Sequence, residues 1–292
     1  MIIWLTSYPR SGNTLLRTIF RQCFGLYSYS DEPVYRQSEF VRNPDLIGHV
    51  ELSKPWADFY REATEASEIF LIKTHYPPRD SQPFIYAVRD GRAAIQSYQK
   101  FHRDYNDTVK SLLSLILGDD PYGDWSSHYR QWTDRGTAGL VLRFDELIDI
   151  SPESLEKIAE YVNFEGDFNK WLNPIEELKS FEPNFFNRGD AGFTPGPEWT
   201  EAVDYLFFKN HGPVMQQLGF CRQLPDSAGA AETEILVNEL NDFSRGVVKE
   251  KHELNAACRD KEILIDQLSA VCEERLQLIN QLHAQVNRQD GE

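Results

Sequence analysis

The sequence predicts an α/β protein, a parallel sheet covered by helices on both faces and followed by a long C-terminal helix. Three observations carry that expectation. Apolar runs at 1–5, 68–75, 83–89 and 139–144 have the length and composition of buried strands, and stretches of helical periodicity separate them. The first run passes into an amphipathic helix through a turn containing Pro9 and Gly12. From about Glu232, Gly and Pro nearly vanish while Leu and Ile recur among charged residues. Strands alternating with helices pair in parallel, because each crossover helix must pack back over the sheet.

The first element is the most informative. Met1 to Leu5 suit a buried strand, and Leu15, Leu16, Ile19 and Phe20 recur at helical spacing. Backbone N–H groups at the start of that helix, with the positive end of its dipole, face whatever the intervening turn holds. An anion is the natural occupant. Arg10 adds a fixed positive charge, and the hydroxyls of Ser11 and Thr14 and the amide of Asn13 can bond phosphate oxygens. No Lys follows Gly12, so the turn departs from the nucleotide-triphosphatase loop, in which Lys and Ser or Thr hold phosphates and magnesium.

Residues 28–68 are polar and irregular with several aromatics, a composition that suits an excursion over a binding cleft. Glu68–His75, Pro83–Arg89 and Gly139–Phe144 read as the second, third and fourth strands. Asp90 is placed to cap a helix over Gly91 to Phe101. Ser151-Pro152-Glu153 opens another, with Leu155, Ile158, Ala159 and Val162 on one face. Residues 1–224 form the expected main domain, 225–231 a linker, and 232–288 a coiled-coil helix. In the heptad register Leu240, Val247, Leu254, Leu268 and Leu282 take a; Leu236, Phe243, Ala257, Leu264, Val271 and Leu278 take d; Glu250, Lys261 and Arg275 are the polar seam positions. A 3.5-residue seam kept over many heptads favours a homo-oligomer over a long amphipathic helix folded back on the main domain.

Composition narrows the function. With 292 residues, 41% hydrophobic, the chain can bury a substantial core. No run of roughly 18 apolar residues spans a membrane, and the N-terminus lacks the basic and apolar regions of a signal peptide. Cys23, Cys221, Cys258 and Cys272 are too sparse for a disulfide framework and fit reduced thiols in a cytoplasmic protein. A net charge of -16 argues against nonspecific nucleic-acid or anionic-lipid binding. Any anionic ligand must therefore be captured locally, by cations beside strand ends and turns: Arg10, Lys73, Arg89, Arg92 and Arg188.

Two further segments sit where open parallel sheets bind ligands. Lys73-Thr74-His75-Tyr76-Pro77 ends the second strand, and Arg89 ends the third with Ser97 eight residues later in the next helix. Singly, His75 also reads as an ordinary hydrogen-bonded residue, and Arg89 as the partner of Asp90. Taken together in order, the segments resemble the sulfotransferases that use 3'-phosphoadenosine 5'-phosphosulfate (PAPS). Leu5 to Arg17 resembles that family's 5'-phosphosulfate loop, T-Y-P-K-S-G-T-T-W, with Arg10 where Lys often stands. Lys73–Pro77 resembles K-T-H-x-P, and Tyr86–Tyr98 resembles the 3'-phosphate motif. Phe185–Gly192 resembles, more loosely, the late R-K-G-x-x-G loop.

The resemblance implies a three-layer P-loop-like core over residues 1 to 220, PAPS as co-substrate and no metal. It also implies a hydroxyl- or amine-bearing acceptor; the long C-terminal helix, suited to placing the protein beside a glycosyltransferase or on a larger assembly, favours a glycan or glycolipid. His75 would be the general base, with Lys73 and Arg10 assisting at the transferring group. Arg10, Ser11, Gly12, Asn13, Thr14, Arg89, Ser97, Arg188 and Gly189 would bind the nucleotide. An imidazole titrating near about 6.5 can take the proton of an attacking hydroxyl. Asn187 departs from the late loop's first basic position, Leu15 from an aromatic after the first loop, and Phe144 from a Tyr. A nucleotide-binding coiled-coil scaffold without turnover and a P-loop kinase are the competing readings.

Overall fold

A computed structural model describes residues 1–31, 44–105, 110–181, 192–222 and 231–289. The chain divides into two compact units, Met1–Glu234 and Ile235–Glu292. The strands are β1 (Ile2–Thr6), β2 (Ser28–Ser30), β3 (Phe70–Thr74), β4 (Phe84–Val88) and β5 (Gly139–Arg143). The described helices are α1 (Asn13–Phe24), α2 (Pro44–Ile47), α3 (Trp56–Glu65), α4 (Gly91–Tyr105), α5 (Leu112–Leu117), α6 (Trp125–Thr133), α7 (Phe144–Ile148), α8 (Pro152–Tyr161), α9 (Ile175–Phe181), α10 (Glu201–Gln217) and α11 (Ala231–Gln289).

One sheet has the order β2-β3-β1-β4-β5, and every pairing in it is parallel. All residues of β1 and β4 are buried, which is why both read as unbroken apolar runs. Alternation along β1 sends neighbouring side chains to opposite faces. Ile3 and Leu5 join a cluster with Leu16, Ile19 and Phe20 of α1 and Ile158 of α8. Trp4 faces the other layer, against Trp56 and Tyr60 of α3 and Trp132 of α6, with ring centroids 6.4 Å apart in each pair. Both faces are covered, as the alternation of elements predicts. Each large apolar side chain so buried stabilises the fold by roughly 1.5–3 kcal/mol.

The register sets the site. Leu5 pairs with Lys73 and Ile85, and Thr6 with Thr74 and Tyr86, so the carboxyl ends of β1 and β3 lie level and β4 runs two residues further, to Val88. The chain leaves β1 toward β2 and β3 and then crosses to β4 and β5. Strand order therefore reverses at the end of β1, the place where such sheets take ligands.

Several sequence expectations shift. Residues 28–68 are not a plain excursion: they contribute the edge strand β2 and helix α3, with Phe59 and Ala63 buried. A three-residue edge strand carries too little periodicity to be read, and α3 is a short helix crowded with polar residues. Phe144 opens α7 rather than ending β5. Helix α4 runs past Phe101 to Tyr105, with the Arg92 amide donating to Asp90 Oδ1 at 2.9 Å. The Ser154 amide donates to Ser151 Oγ at 3.2 Å, so Ser151 caps α8. Residues 225–230 of the expected linker lie outside the described residues. In the second unit Val247, Leu254, Leu264, Leu268 and Val271 are exposed along α11.

Candidate active site

The turn between β1 and α1 is built for close approach. Arg10 adopts φ 64° and Gly12 φ 106°, the left-handed conformations that let the chain double back within a few residues. The Ser11 amide donates to the Tyr8 carbonyl at 3.2 Å, and Asn13 Nδ2 to the Leu5 carbonyl at 2.9 Å, tying the start of the helix to the end of the strand. A Cβ on Gly12 would stand 2.7 Å from Cδ2 of Phe144, so only glycine fits beneath that ring. No side chain caps α1 and no acidic residue lies in its first turn. Ser11 is buried, and its hydroxyl has no hydrogen-bond partner. An uncapped helix start beside an orphaned buried hydroxyl fits a phosphate group. Thr14 lies half-buried in the first turn of the same helix.

The cations behind this turn converge. Arg10 Nε donates to Ser97 Oγ at 3.3 Å, and Arg89 Nη1 donates to the Arg10 carbonyl at 3.2 Å. The Arg89 guanidinium lies 4.4 Å from the centre of the Phe144 ring, and that of Arg10 lies 5.4 Å from the Phe101 ring. Asp90 does not pair with Arg89. It holds Arg92 instead, with Nη2 at 2.7 Å and Nε at 3.1 Å. Arg89 also borders a cleft of about 270 Å³ at the carboxyl ends of β4 and β5, lined further by Arg143, Phe144, Gly192 and Phe220. Phe144 thus separates the turn glycine from Arg89.

His75 meets the same turn from β3. Its Nδ1 lies 2.7 Å from the Ser7 carbonyl, a group that only accepts. That contact places the proton on Nδ1 and the acceptor lone pair on Nε2. The Tyr122 ring stands edge-on to the imidazole at 5.7 Å, and Tyr76 tilts against Tyr122 at 5.2 Å. Lys73 sits on β3 between Leu5 and Ser30 in register. Its charge, after burial and the Arg17 guanidinium, helps hold the His49 imidazole down to about 4.

Direct contacts therefore join Arg10, Arg89 and Ser97, and others join His75 to Ser7 of the same turn. Register brings Lys73 to the adjoining strand end. Arg188 and Gly189, with Asn187, lie outside the described residues. Leu15 packs half-buried against the core, so it offers no flat face to a base. Of the scattered aromatics, Trp125 and Trp132 are core residues, each 1% exposed.

Sequence reasoning missed His128 and Tyr86. Tyr86 Oη lies 2.7 Å from His128 Nδ1, and His128 Nε2 lies 2.8 Å from the His75 carbonyl. The signal was present. Trp125, His128, Tyr129 and Trp132 fall at i, i+3, i+4 and i+7 on α6, placing one imidazole within an apolar stripe, and all four are buried.

Comparison with known proteins gives a consistent result. Residues 2–186 match the family model described as Sulfotransferase domain. Sulfotransferase 1E1 of Cavia porcellus is 24% identical over 189 residues, covering 60% of this chain and 60% of that protein. Sulfotransferase 1E1 of Homo sapiens is 19% identical over 233 residues, covering 73% and 74% respectively. Sulfotransferase 1A1 of Rattus norvegicus is 25% identical over 179 residues, covering 54% and 58%. The chain thus spans about 60% of the length of the first of these relatives. The crystal structure of mouse sulfotransferase SULT7A1 complexed with PAP resembles the fold with a TM-score of 0.50 at 18% identity, over 75% of this chain and 88% of that one.

Proposed function

Because the chain belongs to the sulfotransferase family, we propose that it transfers a sulfuryl group from PAPS to a hydroxyl or amine of an acceptor, with His75 as general base. The observation that supports this most is the convergence of three chain segments. Ser7 of the first turn meets His75, Arg10 of the same turn meets Ser97, and Arg89 closes on Arg10.

In this reading the acceptor atom attacks sulfur in line, and its proton passes to His75 Nε2 as the new bond to sulfur forms. The bond from sulfur to the phosphate oxygen breaks, and 3'-phosphoadenosine 5'-phosphate leaves. Charge grows on that phosphate. Arg10, Lys73, the hydroxyls of Ser11 and Thr14, the second hydrogen of the Asn13 amide and the first N–H groups of α1 would offset it, the kind of contribution often worth about 3 kcal/mol per donor. Gly12 keeps the turn close enough for those donors to act. Arg89 and Ser97, with Arg188 and Gly189, take the 3'-phosphate.

For the acceptor we favour a glycan or glycolipid, since Tyr76 and Tyr122 beside His75 offer aromatic faces to a sugar ring. Transfer of labelled sulfate to a panel of sugars, glycolipids, phenols and peptides tests the activity. Thermal shift tests the co-substrate: PAPS should raise the Tm and ATP with magnesium should not. A shift with ATP and magnesium alone would support a kinase. Stabilisation by PAPS without transfer to any acceptor would support the scaffold.

Catalysis is assigned to residues 1–224, a linker to 225–231, and self-association through a coiled coil to 232–288. Among the described residues no helix is long and apolar enough to cross a membrane. The cytoplasm is the proposed compartment, in keeping with four free cysteines. Leu254 and Leu268, both at a positions, are 66% and 56% exposed along a helix of 59 residues. A second copy would cover them over a span of roughly 90 Å. Sedimentation should show a dimer or higher oligomer, and Leu254→Glu with Leu268→Glu should give a monomer that still binds PAPS. An oligomer unchanged by both substitutions would remove the coiled coil.

A further inference from the structure

We propose that His128 and Tyr86 are positioning residues for proton acceptance by His75, which they hold by its backbone while the first turn holds it by its ring. The inference rests on His75 acting as the base in sulfuryl transfer. The two contacts to carbonyl oxygens, both shorter than the 3.4 Å between the Ser7 hydroxyl and His75 Nδ1, set the protons in this chain. The His75 carbonyl accepts only, so His128 Nε2, 2.8 Å away, carries a hydrogen. In the neutral ring Nδ1 then bears the lone pair, which accepts from the Tyr86 hydroxyl at 2.7 Å. On the other side of His75, Nδ1–H donates to the Ser7 carbonyl at 2.7 Å.

The parts of this relay are rigid. His128 is 0% exposed and Tyr86 1%. Burial pushes the Tyr86 hydroxyl well above the ordinary tyrosine range, so it remains a donor. The Tyr8 ring packs edge-on to His128 with centroids 6.0 Å apart, so the residue after Ser7 braces the relay that ends on His75. At the end of β3, His75 is thus held at two atoms, by Ser7 of the first turn and by His128 of α6, with Tyr86 of β4 behind His128. A shift of its backbone breaks the His128 contact, and a flip of its ring breaks the Ser7 contact. Neither His128 nor Tyr86 reaches the reacting atoms through these contacts, so their effect must pass through where Nε2 points. Misplacement of a reacting group by about 1 Å can cost on the order of 100-fold in rate.

The test compares His128→Phe, His128→Gln and Tyr86→Phe in the full chain, beside His75→Ala. His128→Phe should lower kcat at least ~10-fold. Its acceptor KM and its affinity for 3'-phosphoadenosine 5'-phosphate should stay within about threefold. His128→Gln, which restores a donor to the His75 carbonyl, should recover part of that loss. Nitrogen-15 NMR should show the His75 ring as the single Nδ1–H tautomer in the parent and as a mixture in His128→Phe. Tyr86→Phe keeps volume and removes one hydroxyl, so it still reports if the His128 variants fail to fold; it should lower kcat in the same sense by a smaller factor. An unchanged kcat in the folded variants overturns the proposal. So does a loss of kcat matched by loss of nucleotide affinity, because that marks general loosening of the fold. Turnover by His75→Ala at the parent rate would instead remove the base assignment itself.

Discussion

His75→Ala should abolish measurable sulfuryl transfer, with kcat lower by ~10²–10⁴-fold, while the affinity for PAPS stays within about twofold. The split follows from the position of the ring. It bonds the Ser7 carbonyl at the mouth of the first turn, whereas the groups assigned to phosphate are the helix amides, Ser11, Arg10, Arg89 and Ser97. Removing the imidazole removes the proton acceptor and leaves those anion contacts in place. An acceptor hydroxyl has a pKa far above neutrality, so without a base its attack requires the alkoxide or a proton passed to water. Steady-state turnover paired with calorimetric titration of PAPS measures both halves of the prediction. Turnover equal to the parent would take the base role from His75, and a matching loss of PAPS affinity would make it a binding residue.

Arg89→Ala is expected to have the opposite signature. Affinity for PAPS should fall by ~10- to 100-fold, since a hydrogen bond to a charged group contributes about 1.5–3 kcal/mol. Saturated turnover should change far less. Arg89 also supports the Arg10 carbonyl at 3.2 Å and stacks on Phe144 at 4.4 Å, so part of any loss comes from a looser turn. Adenosine 5'-phosphosulfate, which lacks the 3'-phosphate, separates the two contributions. The parent should prefer PAPS strongly, and Arg89→Ala should lose most of that preference; Arg89→Lys keeps charge but not the planar fork and should fall between. A preference that survives in Arg89→Ala would assign the 3'-phosphate to other residues.

The candidate site was readable in the residues because its parts are local. Strand, turn and helix succeed one another within Met1 to Phe24, and periodicity, Pro9 and Gly12 mark each boundary. Lys73 and His75 lie at a strand end that the apolar run announces, and Arg89 and Ser97 keep a spacing that survives without a structure. What escaped notice depends on contacts between segments far apart in sequence. His128 reaches the His75 carbonyl across 53 positions, and Tyr86 reaches His128 across 42. No local rule pairs them. Asp90 shows the converse, because adjacency offered Arg89 as one possible partner while the geometry pairs it with Arg92. Strand β2 and helix α3 were hidden by brevity and polarity, since three residues at a sheet edge leave no alternation to count.

The strand order has a consequence for how this protein is made. β1 emerges from the ribosome before either of its neighbours, β3 at Phe70–Thr74 and β4 at Phe84–Val88. The apolar segment Ile2–Thr6 must therefore wait unpaired through several seconds of translation, at about 5–20 residues per second. The turn at its end cannot take its final contacts before then, because the strand ends that frame it do not yet exist. Synthesis thus leaves one apolar strand without its sheet partners early, and the contacts of Arg10 with Ser97 and Arg89 form only after those residues have left the exit tunnel.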